Sequence, residues 1–432
     1  MVNELGVGAM TRDARDMRER IPVMKRVFRT CGLVATVLLS LSLALPGQDV
    51  RPTREGQPPN VGQAAEPYAV FDTRPVILHG PYLVAPTESS VTISWETDAP
   101  CHSKVLYGMD RPDSEAISSR DGLLNIGTHH TIHIRGLKPG QTYRFQAVST
   151  RVVKMKGYWP DKGLSVVSPT ATFQTFDSSR ASTTFYAVTD THEDTGRIAA
   201  LMKLADWANA DFLLHLGDAF NTVENEDQVF ARWLDPLTRG IGPSTPLVYA
   251  RGNHETRGPF AREFHQYVPI EEGRFYYTRD QGPVHFVVVD TGEDKPDNTN
   301  VYAGLNAFAP YREEELAWLE AHSRESKRMA DAPFRILAMH QPFWGYLNGA
   351  NDRWTDWANR SGIDLALAGH MHRFSFIEAG RRGNRFPILV IGQDQLAKVE
   401  ATASQIKVSV VAKDGTPVYS FVVERRAAGA RP

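Results

Sequence analysis

The chain has 432 residues, enough for two or three domains at roughly 150 residues each. With 42% hydrophobic and 23% charged residues, it is neither a disordered chain nor a multi-span membrane protein. Its 48 basic and 50 acidic side chains leave a net charge of −2, no general case for a nucleic-acid binder, and its two cysteines cannot make a disulfide scaffold or a Cys-rich zinc module.

Taken in chain order, the first feature is the uncharged apolar run 33–45, which ends at a Leu-Pro-Gly-Gln break. It has the length of a signal-peptide core and is too short to span a bilayer comfortably. Lys25, Arg26 and Arg29 precede it as a basic flank, while residues 1–23 are polar and mixed in charge, as if translation began at Met24. Residues 1–47 are therefore expected to be a leader that directs export to the periplasm or the extracellular space, leaving no stable membrane span after cleavage. Its removal takes away seven basic and four acidic side chains, moving the net charge from −2 to −5, and leaves Cys101 as the single cysteine.

Residues 48–68 are rich in Pro, Gly, Gln and Arg and read as a linker. From 69 to 178 short β-type runs alternate with turn residues. The predicted strands are Val76–Leu83, Ser90–Thr97, Ser103–Tyr107, Thr131–Arg135, Thr142–Ser149 and Ala171–Thr175. Alternation in Val91–Glu96 points Val91, Ile93 and Trp95 into a sandwich core. The turn before Tyr143 places that residue where a tyrosine corner forms. This all-β stretch resembles a fibronectin type III-like domain, and His129, His130 and His133 on its strand edge read as packing or surface residues.

Beyond residue 183, strand-like runs alternate with helix-like stretches at Arg197–Asn209, Gln228–Leu237 and Tyr311–Arg324, an α/β signature. In the last, Leu316, Trp318 and Leu319 share one face among Glu313, Glu314, Glu315 and Glu320. Residues 425–432 read as a frayed tail.

Five apolar runs of this second region end in metal-binding residue types. Phe185–Thr189 leads to Asp190-Thr191-His192, and Phe212–Leu216 to Gly217-Asp218. Leu247–Ala250 leads to Gly252-Asn253-His254-Glu255, Phe334–Met339 to His340, and Leu365–Ala368 to Gly369-His370-Met371-His372. Buried strands that present such side chains at their C-terminal ends converge on one crevice. The glycines before Asp218, Asn253 and His370 are expected to allow sharp strand-to-loop turns. His215, inside its strand, reads as a packing group.

This ordered set resembles the calcineurin-like metallophosphoesterase superfamily, and with a β-sandwich in front it looks most like the purple acid phosphatase branch, over roughly residues 70–412. The resemblance implies a four-layer αββα domain at 183–424 with two metal ions. Asp190, His192 and His372 would hold the first, and Asn253, His340 and His370 the second, with Asp218 bridging them. The donor types suit Fe, Zn or Mn, and a shared carboxylate sets two ions about 3.5–4 Å apart. A water-derived hydroxide on the metals would attack a small phosphate-ester substrate. His254 would stabilise the phosphoryl charge or protonate the leaving oxygen, with Glu255 orienting it. The resemblance makes the chain an exported acid phosphatase-like hydrolase of monoesters. The alternatives on the same residues are a cyclic-nucleotide or other phosphodiesterase, or a non-catalytic surface module. No nucleic-acid partner is expected.

One departure stands out. The purple branch has an iron-binding tyrosine three residues after the second-block Asp, where this chain has Asn221. That branch also lacks the histidine that His192 supplies, so the sequence predicts no tyrosinate-to-iron colour and an Fe/Zn, Zn/Zn or Mn/Mn centre. Among softer candidates, Phe343–Tyr346 could wall the substrate and Arg373 could touch its phosphate. Arg381–Arg385 reads as a solvated hairpin turn.

Overall fold

The computed structural model describes residues 69–270, 272–343 and 351–426. The leader, the linker, residues 344–346 of the aromatic run and residues 427–432 of the tail lie outside them. No helix among the described residues is long and apolar enough to cross a membrane.

In the N-terminal part, Ile77–Val84 pairs antiparallel with the first half of Ser90–Gly108, which also pairs with Ile126–Arg135. The sequence pattern splits Ser90–Gly108 in two. The structure keeps one strand, because the register shift between Glu96 and Cys101 bends the pairing instead of ending it. Its second half pairs with Thr142–Lys154 and Ser114–Ile117. Both halves cover one core, Val91, Ile93 and Trp95 from the first and Val105 from the second, with Phe145 and Phe173. Fully buried Trp95 donates its indole N–H to Ser149 Oγ at 2.8 Å, satisfying its one polar atom. The Tyr143 hydroxyl accepts the Lys138 amide at 2.9 Å, the contact that makes a tyrosine corner. His130 and His133 bond Thr97 and Thr92, and His129 meets the Gln266 carbonyl, so all three serve packing.

In the α/β part, Ser182–Val188, Phe212–His215 and Leu247–Tyr249 run parallel, and Gln395–Thr402, Gln405–Ala412 and Pro417–Glu424 extend this sheet antiparallel. A second sheet holds Val284–Val288, Phe334–Ala338, Leu365–Ala368 and Ile388–Val390 in parallel, with Tyr277–Gln281 and Ser375–Ile377 antiparallel at its edges. Side-chain alternation builds the layers. Phe185 and Ala187 point into the core between the sheets, while Tyr186 and Val188 point out to helices Thr195–Met202 and Asp235–Ile241. On the far sheet, Phe286 and Ile336 face inward. Val287 and Leu337 pack outward against Leu316 and Leu319 of Phe308–Glu325. The result is helix, sheet, sheet, helix.

The helix predicted over Arg197–Asn209 stops at Met202, whose carbonyl is taken by the Trp207 indole N–H at 2.8 Å. Glu315 is not on the solvent face. It is fully buried and accepts the Asp290 amide at 2.9 Å. The two parts also share one 13-stranded sheet, because Val84 pairs in parallel with Leu247. The change of pattern near residue 180 is thus not a break in hydrogen bonding.

Candidate metal centre

The five strand ends named above meet at one edge of the two stacked sheets, and their backbones leave the strands in unusual conformations. Asp190, His192, Glu193, Asp218, His370 and His372 all have positive φ, six of the ten such non-glycine residues among those described. Left-handed geometry at a non-glycine residue costs about 1–3 kcal/mol and persists only where the surroundings enforce it. Of the three glycines, only Gly217 supplies a positive φ, +87°. Gly252 and Gly369 are needed for close approach instead. A Cβ on Gly252 would lie 2.2 Å from Asp218 Oδ1, and one on Gly369 would lie 1.9 Å from Thr189 Oγ1.

Two groups of ligand-type side chains converge here. Asp190, His192, Asp218 and His372 form one and Asp218, His340 and His370 the other, with the ligand atoms of each group within 4.8 Å of one another. Asp218 is common to both. In the first group, His192 donates Nδ1–H to the Phe220 carbonyl at 3.0 Å, which leaves Nε2 as the lone-pair nitrogen, 2.9 Å from His372 Nε2. Asp190 Oδ2 accepts from Thr189 Oγ1 and from the His370 amide, and Oδ1 lies 3.4 Å from His372 Nε2. In the second group, His340 donates Nδ1–H to the Leu216 carbonyl at 2.6 Å and turns Nε2 toward Asp218 Oδ2 at 3.1 Å. Asn253 belongs to this side, with Oδ1 3.0 Å from His370 Nδ1.

Three of these atoms, Asp190 Oδ1, Asp218 Oδ2 and His340 Nε2, are buried and make no hydrogen bond. Leaving such a group unsatisfied costs about 1–3 kcal/mol, more when it is charged. The titration behaviour has the same origin. Burial pulls His192 and His370 down to about 4, which keeps them neutral donors. Burial also pulls His340 down, but Asp218 outweighs this and lifts it to about 10. Burial pushes Asp218 up, yet His340 holds it below the usual carboxylate range. Convergent, buried, unpaired imidazole and carboxylate donors around one shared carboxylate fit a pair of divalent cations.

His254 sits beside these groups. Its amide bonds Asp218 Oδ1 at 3.0 Å, its Nδ1–H donates to the Asn221 carbonyl at 2.7 Å, and its Nε2 lies 3.8 Å from Asp218 Oδ2. The expectation that Glu255 orients His254 is corrected. The fully buried Glu255 carboxylate accepts the amides of Gly252, Asp218 and Ala219 at 2.8, 3.1 and 2.5 Å, and the Asn221 carbonyl orients the ring. Burial, with Asp218 nearby, pushes Glu255 up to about 7. Its role is to tie the Asp218 and Asn253 loops together. His215 is fully buried and packs against Trp233 and Tyr249. Arg373 is exposed. Phe343 lies under the Arg382 guanidinium, 4.2 Å from ring centre, and Arg381–Arg385 connects the antiparallel strands Ser375–Ile377 and Ile388–Val390. The sequence reading missed Arg257, whose Nη1 lies 3.2 Å from His254 Nε2, and its partners Glu293 and Asp294. The signal was only a spacing, an Arg three residues after the histidine.

Residues 183–374 match the calcineurin-like phosphoesterase family. A purple acid phosphatase from yellow lupin (Lupinus luteus) seeds has a similar structure, with a TM-score of 0.58 at 15% identity over 82% of this chain and 75% of that one. A structure of PhoD aligns with a TM-score of 0.53 at 13% identity, over 80% of this chain and 89% of that one. At such identities the likeness is one of fold. No curated protein matches in sequence.

Proposed function

The α/β domain belongs to the calcineurin-like metallophosphoesterase superfamily, and from that premise we propose that the chain is an exported phosphoesterase that hydrolyses phosphate monoesters at a binuclear metal centre. The observation that carries the reading is Asp218, a buried carboxylate common to two ligand groups. Asp190, His192 and His372 would hold one ion and Asn253, His340 and His370 the other, with Asp218 shared between them. The ions, when bound, supply Lewis-acid stabilisation of phosphoryl charge and a water acidified enough to act as nucleophile near neutral pH.

The chain's own residues do the rest. The Phe220 and Leu216 carbonyls fix the tautomers of His192 and His340, so each presents a lone pair to the crevice. Glu255 holds the Asp218 and Gly252 amides in register. His254, steadied at Nδ1, offers Nε2 to a phosphoryl oxygen or to the leaving oxygen as a proton donor. The apolar run 33–45 behind its basic flank supports export, and the tyrosine corner supports a fibronectin type III-like assignment for residues 69–178.

Metal analysis of the purified protein, paired with rates on 4-nitrophenyl phosphate and bis(4-nitrophenyl) phosphate, tests the proposal. The expected result is two ions per chain and faster turnover of the monoester. Failure to turn over either ester after loading with Zn²⁺, Mn²⁺ or iron would sink it, and faster diester turnover would replace it with a phosphodiesterase.

A further inference from the structure

Arg257 is clamped from one side. Its Nε donates to Glu293 Oε1 at 2.8 Å, and its Nη2 donates to Glu293 Oε2 at 2.7 Å and to Asp294 Oδ1 at 3.0 Å. Glu293 is fully buried, so the guanidinium fork rests on a fixed base. Lys295 pairs with Asp294 at 2.7 Å, which leaves these four charges balanced. The clamp therefore offers a directed donor more than a net charge. That donor is Nη1, 3.2 Å from His254 Nε2. Since His254 Nδ1–H is spent on the Asn221 carbonyl, the neutral ring presents its Nε2 lone pair to Arg257. The same Nε2 lies 3.8 Å from Asp218 Oδ2, on the crevice side. Both side chains stay partly open, Arg257 at 25% and His254 at 24% exposure. A purely internal ion pair would need no such opening beside the shared carboxylate.

We propose that Arg257 binds the phosphoryl group and biases the site toward phosphate monoesters. This rests on the phosphoesterase reading above and narrows its substrate class. Near neutral pH a monoester carries charge approaching −2 over three terminal oxygens, whereas a diester carries −1 over two. Nη1 carries two N–H groups, so one rests on His254 Nε2 and the other addresses a terminal oxygen besides those held at the metal ligands. A diester places a second ester oxygen and its substituent where that acceptor belongs, and the Nη1–H is left without its partner.

The test uses the metal-loaded full chain as wild type, Arg257→Ala and Arg257→Lys. It measures kcat and KM on both 4-nitrophenyl esters and the affinity for inorganic phosphate by calorimetry. Arg257→Ala is expected to lower kcat/KM on the monoester about 10- to 100-fold, the size of one charge-assisted hydrogen bond, and to weaken phosphate binding by a similar factor. Diester turnover should change less than about threefold, with metal content retained. Arg257→Lys keeps a charge without the fork and should recover only part of the monoester rate. It also serves as the reporter if the alanine variant does not fold. Equal losses on both esters with unchanged phosphate affinity would make Arg257 a clamp for the loop at Glu293, overturning the inference and leaving the phosphoesterase reading intact. No turnover of either ester by the loaded wild type would overturn that reading and this inference with it.

Discussion

His254 lies 3.8 Å from the shared carboxylate through Nε2 but is absent from both ligand groups. Its contacts are those of a reacting side chain. The backbone is pinned to Asp218 Oδ1, one ring nitrogen is pinned to a carbonyl, and the other is turned to the crevice. Under the proposed function, removing the ring would take away a phosphoryl contact without removing a metal donor. His254→Ala should therefore lower kcat by about 10²- to 10³-fold, in line with the loss of one general acid or one charge-stabilising donor. Metal content, measured by elemental analysis, should stay near the wild-type value. Loss of both ions from that variant would place His254 among the ligands and refute the assignment.

At the scale of elements, the centre depends on how closely two loops approach. Gly252 has no positive φ, so its identity is set by space, because a Cβ there would meet Asp218 Oδ1 at 2.2 Å, the Asp218 amide nitrogen at 2.3 Å and Glu255 Oε2 at 2.7 Å. Two of those three atoms belong to Asp218, and neither loop can retreat without breaking the Glu255 bonds to the Gly252 and Asp218 amides. Gly252→Ala is expected to cost at least about 2 kcal/mol by overpacking and to lower metal occupancy, because Asp218 moves. Thermal melts with and without a chelator would show both effects. An unchanged melting temperature with full metal content would mean that the loops give more readily than these distances allow.

The same region shows what the sequence could and could not disclose. Unbroken apolar runs place Phe185, Leu214 and Leu367 in buried strands, and the residue types that follow each run mark the strand ends. Both signals are local. The amides that Glu255 holds, by contrast, include two that lie 36 and 37 residues away in the chain, and Arg257 reaches Glu293 across 36 residues. Side chains that meet only after folding carry no periodic mark. Glu315 was misplaced for a related reason. Its charged neighbours Glu313, Glu314 and Glu320 make the helix face look wet, but its partner, the Asp290 amide, lies outside that helix. The sequence pattern divides Ser90–Gly108 in two because a bulge looks like a turn in sequence, although the chain continues as one strand beyond the register shift.

For the whole molecule, the seam between the β-sandwich and the α/β part matters as much as the crevice. Val84 joins the shared sheet at Leu247, Tyr82 donates its hydroxyl to the Tyr267 carbonyl at 2.9 Å, and His79 stacks on Phe230 at 4.3 Å while bonding Asp235 at 3.0 Å. Glu96 lies in this seam with its side chain 11% exposed, 3.8 Å from His79, and its Oε2 makes no hydrogen bond. Burial first, and the Glu226 carboxylate second, push it up to about 7. The folded state therefore holds the proton more tightly than the unfolded chain, whose carboxyl titrates near 4.5. The stability it contributes is present in full below about pH 4.5 and is lost as the pH rises through about 7. Glu96→Gln mimics the protonated form at every pH and leaves the His79–Asp235 contact in place. The variant should melt close to wild type at pH 5 and above it at pH 8, by a margin on the order of 1–3 kcal/mol. Taking the difference between the two proteins cancels every titration that they share, so parallel curves of melting temperature against pH would show that Glu96 ionises in the fold as freely as in water.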